Sequence, residues 1–137
     1  MQDEEELGRQ IIGCALKVHS GLGPGLLEST YEICLLHELR KLQIDVKRQM
    51  PLPVHYDGLD LDAGYRIDLL VGDRVIVELK AVEQLLPLHV SQVLTYLRLS
   101  RARLGYLLNF NVLRMKDGIR RVINSNDPLR APLRPSR

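Results

Sequence analysis

The 137-residue chain has no tryptophan, one phenylalanine and only two cysteines. So few large aromatics argue against a platform on which successive nucleic-acid bases stack. Cys14 and Cys34 form neither a close ligand pair nor a disulfide framework; both fall in apolar helical patterns and read as packing thiols. No apolar run approaches the roughly 18 residues a membrane helix needs. The opening MQDEEELGRQ is acidic and lacks the basic start of a secretory signal. Together these absences predict a soluble, cytoplasmic protein with no membrane partner. What is present is globular: 45% hydrophobic and 26% charged residues, in a length that fits one domain able to bury a core.

The net charge of +2 hides an asymmetry. Residues 98–137 hold nine arginines and Lys116 against Asp117 and Asp127, which leaves the first 97 residues acidic. Such a division suggests one surface suited to a polyanion. Part of the excess lies in PLRAPLRPSR, residues 128–137, which is Pro-rich, lacks apolar periodicity and reads as a flexible basic tail. Residues 1–127 are expected to form a single domain without repeats or linkers.

Apolar spacing predicts an amphipathic helix from Glu4 to His19, through Leu7, Ile11, Ala15 and Val18, ended by SGLGPG. A second helix is predicted from about Leu26 to Leu42, with Leu27, Tyr31, Cys34, Leu35 and Leu39 on its apolar side. A bent strand near Val46–Tyr56, interrupted by Pro51 and Pro53, leads to a turn at Asp57-Gly58. A hairpin, RIDLLVGDRVIVELK (Arg66–Lys80), comes next, then a third helix over Leu85–Leu99 with Pro87 tolerable in its first turn. Arg103–Phe110 and Leu113–Ile123 close the chain as strands around Lys116-Asp117-Gly118. The order ααβββαββ predicts an α/β fold, with a mixed central sheet flanked by helices on both faces.

The hairpin carries the chemistry. Period-2 alternation puts Ile67, Leu69 and Val71 on one face with Tyr65, and Asp68 on the other with Arg66 and Leu70. On the partner strand Val75, Val77 and Leu79 oppose Ile76, Glu78 and Lys80. A two-residue loop would turn the apolar rows to opposite sides, whereas Gly72-Asp73-Arg74 pairs Leu69 with Val77 and Asp68 with Glu78. The two acids are then cross-strand neighbours, roughly 5 Å apart at Cβ, where like charges destabilise a sheet. A hard divalent cation removes the conflict, and Lys80 projects onto the same face. A solvated polar face is the competing explanation, so the spacing alone leaves the question open.

Asp68 followed by Glu78-Leu79-Lys80 resembles the acid and (D/E)xK elements of the PD-(D/E)xK nuclease superfamily, although Ile67 stands beside the acid where the superfamily's name has proline. Gln92 and Tyr96 in SQVLTYL resemble the QxxxY motif of RecB-like nucleases. Gly25, Glu28 and Tyr31 in GLLESTY resemble the signature of the GxxExxY proteins of that superfamily. The resemblance runs from about Leu7 to Ile123. It implies a restriction-endonuclease-like αβββαβ core and hydrolysis of nucleic-acid phosphodiesters, DNA in preference to RNA. It also implies a Mg²⁺ or Mn²⁺ cofactor held by Asp68, Glu78 and the Leu79 carbonyl, with Lys80 orienting water for in-line attack.

Each companion residue has a plainer reading beside this one. Glu28 suits a first helical turn for the dipole alone, yet its alignment with Tyr31, Leu35 and Leu39 favours a place at the site, on a second cation or a bound water. Tyr31 reads as core with a hydroxyl in search of a partner, and Gly25 as the residue that permits tight helix entry. Gln92 and Tyr96, one turn apart, can support Lys80 or a substrate phosphate. Arg98, Arg101 and Arg103 are expected to grip backbone phosphates. Of His19, His37, His55 and His89, only His89 is placed to line the cleft. A homodimer is expected because C2 dimers are the commonest oligomers. A non-catalytic nucleic-acid-binding or protein-interaction module that keeps the fold is the alternative function.

Overall fold

A computed structural model of the chain describes residues 2–125, so the proposed tail at 128–137 and the last two residues of the expected domain lie outside the described residues. Helix α1 spans Glu4–Leu22. The Asp3 side chain accepts the Glu6 N–H at 2.8 Å, and Glu4, Glu5 and Glu6 face the positive end of the helix dipole. The helix runs three residues beyond His19 and ends at Gly23, whose left-handed φ of 71° lets its N–H close on the His19 carbonyl at 2.7 Å. Helix α2 covers Glu28–Lys41 and buries Tyr31, Leu35 and Leu39 completely. Its Tyr31 ring stacks on Phe110 with centroids 4.7 Å apart.

The bent strand resolves into two pieces. β1 (Val46–Pro51) joins the main sheet, while β2 (Val54–Tyr56) leaves it after Pro53 and pairs with β3 (Leu59–Leu61) around Asp57-Gly58. This two-stranded arm, whose second strand has no counterpart among the predicted elements, stands apart from the five-stranded sheet. β4 (Arg66–Val71) and β5 (Val75–Lys80) form the hairpin, and Leu69 faces Val77 as loop parity requires. Helix α3 (Pro87–Ser100) begins with its proline at the first helical position, where the missing N–H costs nothing. It returns the chain to β6 (Leu104–Asn109), parallel to β5. Residues Met115–Gly118 make a 3-10 turn rather than strand, and only Ile119–Ile123 forms β7. Leu113 is 91% exposed, and Asp117 N–H bonds the Arg114 carbonyl at 2.9 Å, so local turn bonds replace the expected ladder.

The sheet order is β1-β4-β5-β6-β7, antiparallel except at β5–β6, with helices on both faces. α1 and α2 cover Leu69, Val75, Val77, Leu79 and Tyr106; α3 covers Ile76, Leu107 and Val122. One departure from alternation bears on the site. Val46 packs on the α1/α2 side and Met50 with the α3 cluster, although an interval of four should give both the same face. Leu69 and Ile67 divide in the same way, against the expectation that they share a face. Between these residues Gln49 adopts φ 55°, a left-handed conformation rare for a non-glycine residue in a strand. The register of β1 on β4 is unchanged across it, with Arg48 on Leu69 and Met50 on Ile67. The pleat therefore inverts where Gln49 faces Asp68.

Candidate active site

The β4–β5 ladder stops at Leu69–Val77, and from there side chains replace main-chain pairing. Asp68 N–H donates to a Glu78 carboxylate oxygen at 2.7 Å, and Leu79 N–H donates to Asp68 Oδ2 at 2.9 Å. Each acid thus satisfies an amide of the opposite strand, and the two strands fork. Together with the pleat inversion this places both carboxylates where the β4–β5 ladder opens.

Burial dominates the electrostatics. Glu78 is 5% exposed, and desolvation, with Asp68 next in effect, pushes its carboxyl from an ordinary 4.5 up to about 8. Burial also raises Asp68; the Glu32 charge adds to this, while the Leu79 amide and the Gln49 side chain oppose it. Glu28, in the first turn of α2, is raised by partial burial and by Asp68, with Lys80 opposing. The Glu28 charge in turn adds, as the smallest contribution, to the upward push on Glu78.

Beside Lys80, Gln92 and Tyr96 line a groove, and their side chains approach to 3.5 Å. Tyr96 is raised by burial and by the charges of Glu78 and Asp68. His89 lines the same groove, but its Nδ1 also accepts the Leu86 N–H at 2.9 Å and so caps α3. The main chain at Lys80 is itself clamped: its carbonyl accepts Phe110 N–H at 3.0 Å, and buried Asn109 bonds both the N–H and the carbonyl of Val82.

Three residues escaped sequence reasoning. Glu32, 3% exposed, accepts from Arg48 Nε at 2.6 Å and from the Gln49 amide at 3.0 Å, and that same amide reaches Asp68 Oδ1 at 3.2 Å. The spacing of Glu32 four residues after Glu28 was a legible signal; the roles of Arg48 and Gln49 were not. Gly25 has φ 98°, in keeping with a tight entry to α2. The Tyr31 hydroxyl donates to the Gly23 carbonyl at 2.7 Å and accepts the Leu26 N–H at 3.0 Å, so it fastens the loop that leads to Glu28.

The basic residues lie elsewhere. Arg103 Nε is paired with Glu4 at 2.8 Å, and Arg101 caps the C-terminus of α3. Arg103 precedes Leu104, which pairs with Val75, whereas Lys80 pairs with Asn109. Five strand steps separate these points, roughly 16 Å. Arg98 is exposed on α3 and lies about 200° around the helix from Tyr96. The structure does not bring these three arginines to the acids.

Among the described residues, no three His, Cys, Asp or Glu side chains form a ready cation cage. A divalent ion would rest on Asp68 and Glu78, completed by main-chain oxygen and water, the arrangement Mg²⁺ favours. Two desolvated acids held side by side and biased toward the proton suit such an ion, whose charge would permit both to ionise.

A mixed sheet between helices, with an acid pair and a lysine at a fork in one hairpin, defines a restriction-endonuclease-like fold. The family profile described as the PD-(D/E)XK nuclease superfamily matches residues 5–122, and the chain belongs to that superfamily. No curated protein and no solved structure matches it. Among the described residues, no helix is long and apolar enough to cross a membrane.

Proposed function

We propose that the chain is a divalent-cation-dependent phosphodiesterase acting on nucleic acid, with DNA the favoured substrate and Mg²⁺ or Mn²⁺ the cofactor. The observation that carries this reading is the fork itself, where two carboxylates take the place of a backbone ladder beside Lys80. A sheet built only for stability would continue its ladder and keep two desolvated acids apart.

Asp68 and Glu78, with the Leu79 carbonyl, would hold the cation, which supplies Lewis-acid charge to the phosphate when bound. Lys80 orients water for in-line attack and offsets charge that develops on the phosphoryl oxygens. Glu28 approaches from α2 and positions a further water or a second cation. Gln92, tied to Tyr96, supports Lys80 or a substrate phosphate. Gln49 and Arg48 hold Glu32, and Gln49 fixes the orientation of Asp68. The GxxExxY and QxxxY elements favour a place among the GxxExxY proteins and the RecB-like nucleases, and a homodimer in the cytoplasm is the expected form.

The test is cleavage of plasmid, single-stranded DNA and RNA with Mg²⁺ or Mn²⁺, alongside Lys80→Ala and Glu78→Gln. Loss of cleavage in both variants is expected. Equal cleavage by the variants would exclude this site as its source, and no cleavage of any substrate by the wild type would favour a binding module. A parallel melt supplies the cation test: Mn²⁺ should raise the Tm of the wild type and not that of Asp68→Asn.

A further inference from the structure

The groove beside Lys80 is larger than a phosphate requires. It encloses about 660 Å³ between the β2–β3 arm and α3, within the range of sites that take a small organic group. Val54, Leu61 and Tyr65 line the arm side; Leu88, Tyr96 and Leu99 line the α3 side. Its polar members other than Thr95 and the tyrosine hydroxyls, namely Lys80, His89 and Gln92, include the candidate phosphate ligands. No acid lines it; Lys80, two residues beyond Glu78 on β5, links the apolar space to the acid pair. Tyr65 is 48% exposed and meets Tyr96 edge to face at 6.5 Å, which leaves ring surface available to a ligand.

We propose that this groove is a subsite for one unpaired nucleobase flanking the phosphodiester at Lys80, so that the substrate presents unpaired nucleotides there rather than intact duplex. The inference rests on the phosphodiesterase reading and narrows its substrate class. A phosphodiester held by Lys80 and Gln92 carries a nucleotide on each side, and the adjoining surface is apolar with an exposed tyrosine ring. A base in a duplex has its faces covered by its neighbours, whereas an unpaired base exposes a flat π-face that stacks on tyrosine without regard to sequence. A single ring at one position agrees with the scarcity of aromatics: it serves one base, not a run of them. The arm has a defined role in this arrangement, because it forms the wall opposite α3.

The experiment uses the whole 137-residue chain and fluorescence anisotropy with a labelled single-stranded DNA of about 20 nucleotides. The same strand annealed to its complement and an abasic strand of the same length are the comparisons. Expected is binding of the single strand at least tenfold tighter than of the duplex or the abasic strand. Tyr65→Ala, which removes the ring, and Thr95→Trp, which fills the groove from an exposed helix position, should each weaken single-strand binding about tenfold with little change in Tm. The abasic comparison needs no variant and stands even if Tyr65→Ala fails to fold. Equal affinity for normal and abasic strands would overturn the subsite. So would an unchanged affinity in Thr95→Trp combined with a shift from dimer to monomer in sedimentation, which would mean that a second copy fills the groove. Cleavage of single strand and duplex alike, insensitive to both variants, would remove the base subsite and leave the nuclease. Base-dependent binding without cleavage by any preparation would remove the nuclease and leave the subsite.

Discussion

The acid pair should make the cation-free protein less stable as pH rises, and Glu78 sets the magnitude. Its carboxyl is held near 8 in the folded state against an ordinary 4.5. Between these values the folded chain keeps a proton that the unfolded chain has released, so unfolding stability falls with pH across that window. The steepest slope is about 1.4 kcal/mol per pH unit, and the full span has a ceiling of about 5 kcal/mol. From pH 5.5 to 7.5 the loss is about 3 kcal/mol, or roughly 10 °C in Tm for a domain of this size. Asp68 and Glu28, also raised, act in the same direction. Glu38 is lowered by Lys17 and Lys41, and its effect falls below the window. A divalent ion competes with the proton, so stabilisation by Mn²⁺ should be small near pH 5 and grow until about pH 8. Glu78→Gln imitates the neutral acid and keeps an oxygen to accept the Asp68 N–H. In EDTA it should flatten the pH profile and melt above the wild type at pH 8. Calorimetry on both proteins in EDTA at half-unit pH steps decides the matter. Superimposable profiles would refute the argument that Glu78 is buried as a proton-holding acid.

Three further outcomes follow from local geometry. Gln49→Gly, which accepts φ 55° without strain but loses the donor to Glu32 and Asp68, should cost less stability than Gln49→Ala, about 1 against 2 kcal/mol by chemical denaturation. Both should need more Mn²⁺ for half-maximal stabilisation. Tyr31→Phe keeps the ring stack but deletes two hydroxyl bonds, and a loss of about 1–2 kcal/mol is expected in the same assay. A methyl group added at Gly118 would overlap the Asn109 carbonyl oxygen, whereas one at Gly13, on the exposed side of α1, meets nothing within 4 Å. Thermal melts should therefore show Gly118→Ala destabilised by 3 kcal/mol or more, roughly, and Gly13→Ala stabilised by about 0.5–1 kcal/mol.

The hairpin was legible in the sequence because parity admits only one answer: two apolar rows on one side of a sheet force an odd loop, and that loop sets Asp68 against Glu78. The helices were legible from their apolar stripes, to within three residues at each end. The alternation argument failed at Ile67, which pairs with Met50 just past the left-handed Gln49 of the neighbouring strand, and nothing in the letters around Gln49 announces that conformation. Leu59–Leu61 is three exposed residues long, too short to show a period. The arginine expectation came from counting charge along the chain, and a count cannot reveal that Arg103 meets Glu4 across 99 positions. Glu32 was within reach, since its interval from Glu28 is one helical turn.

The crossed pairing of carboxylates and amides has an implication for descent. A relative that replaced both acids with small apolar residues would strand two main-chain N–H groups in the middle of a sheet. Loss of the acids is then obstructed by folding itself, and a lineage that gives them up must either rebuild a regular ladder there or keep oxygen-bearing side chains in place. Asparagine and glutamine, which keep an oxygen to accept those amides, would therefore be the expected replacements at these two positions.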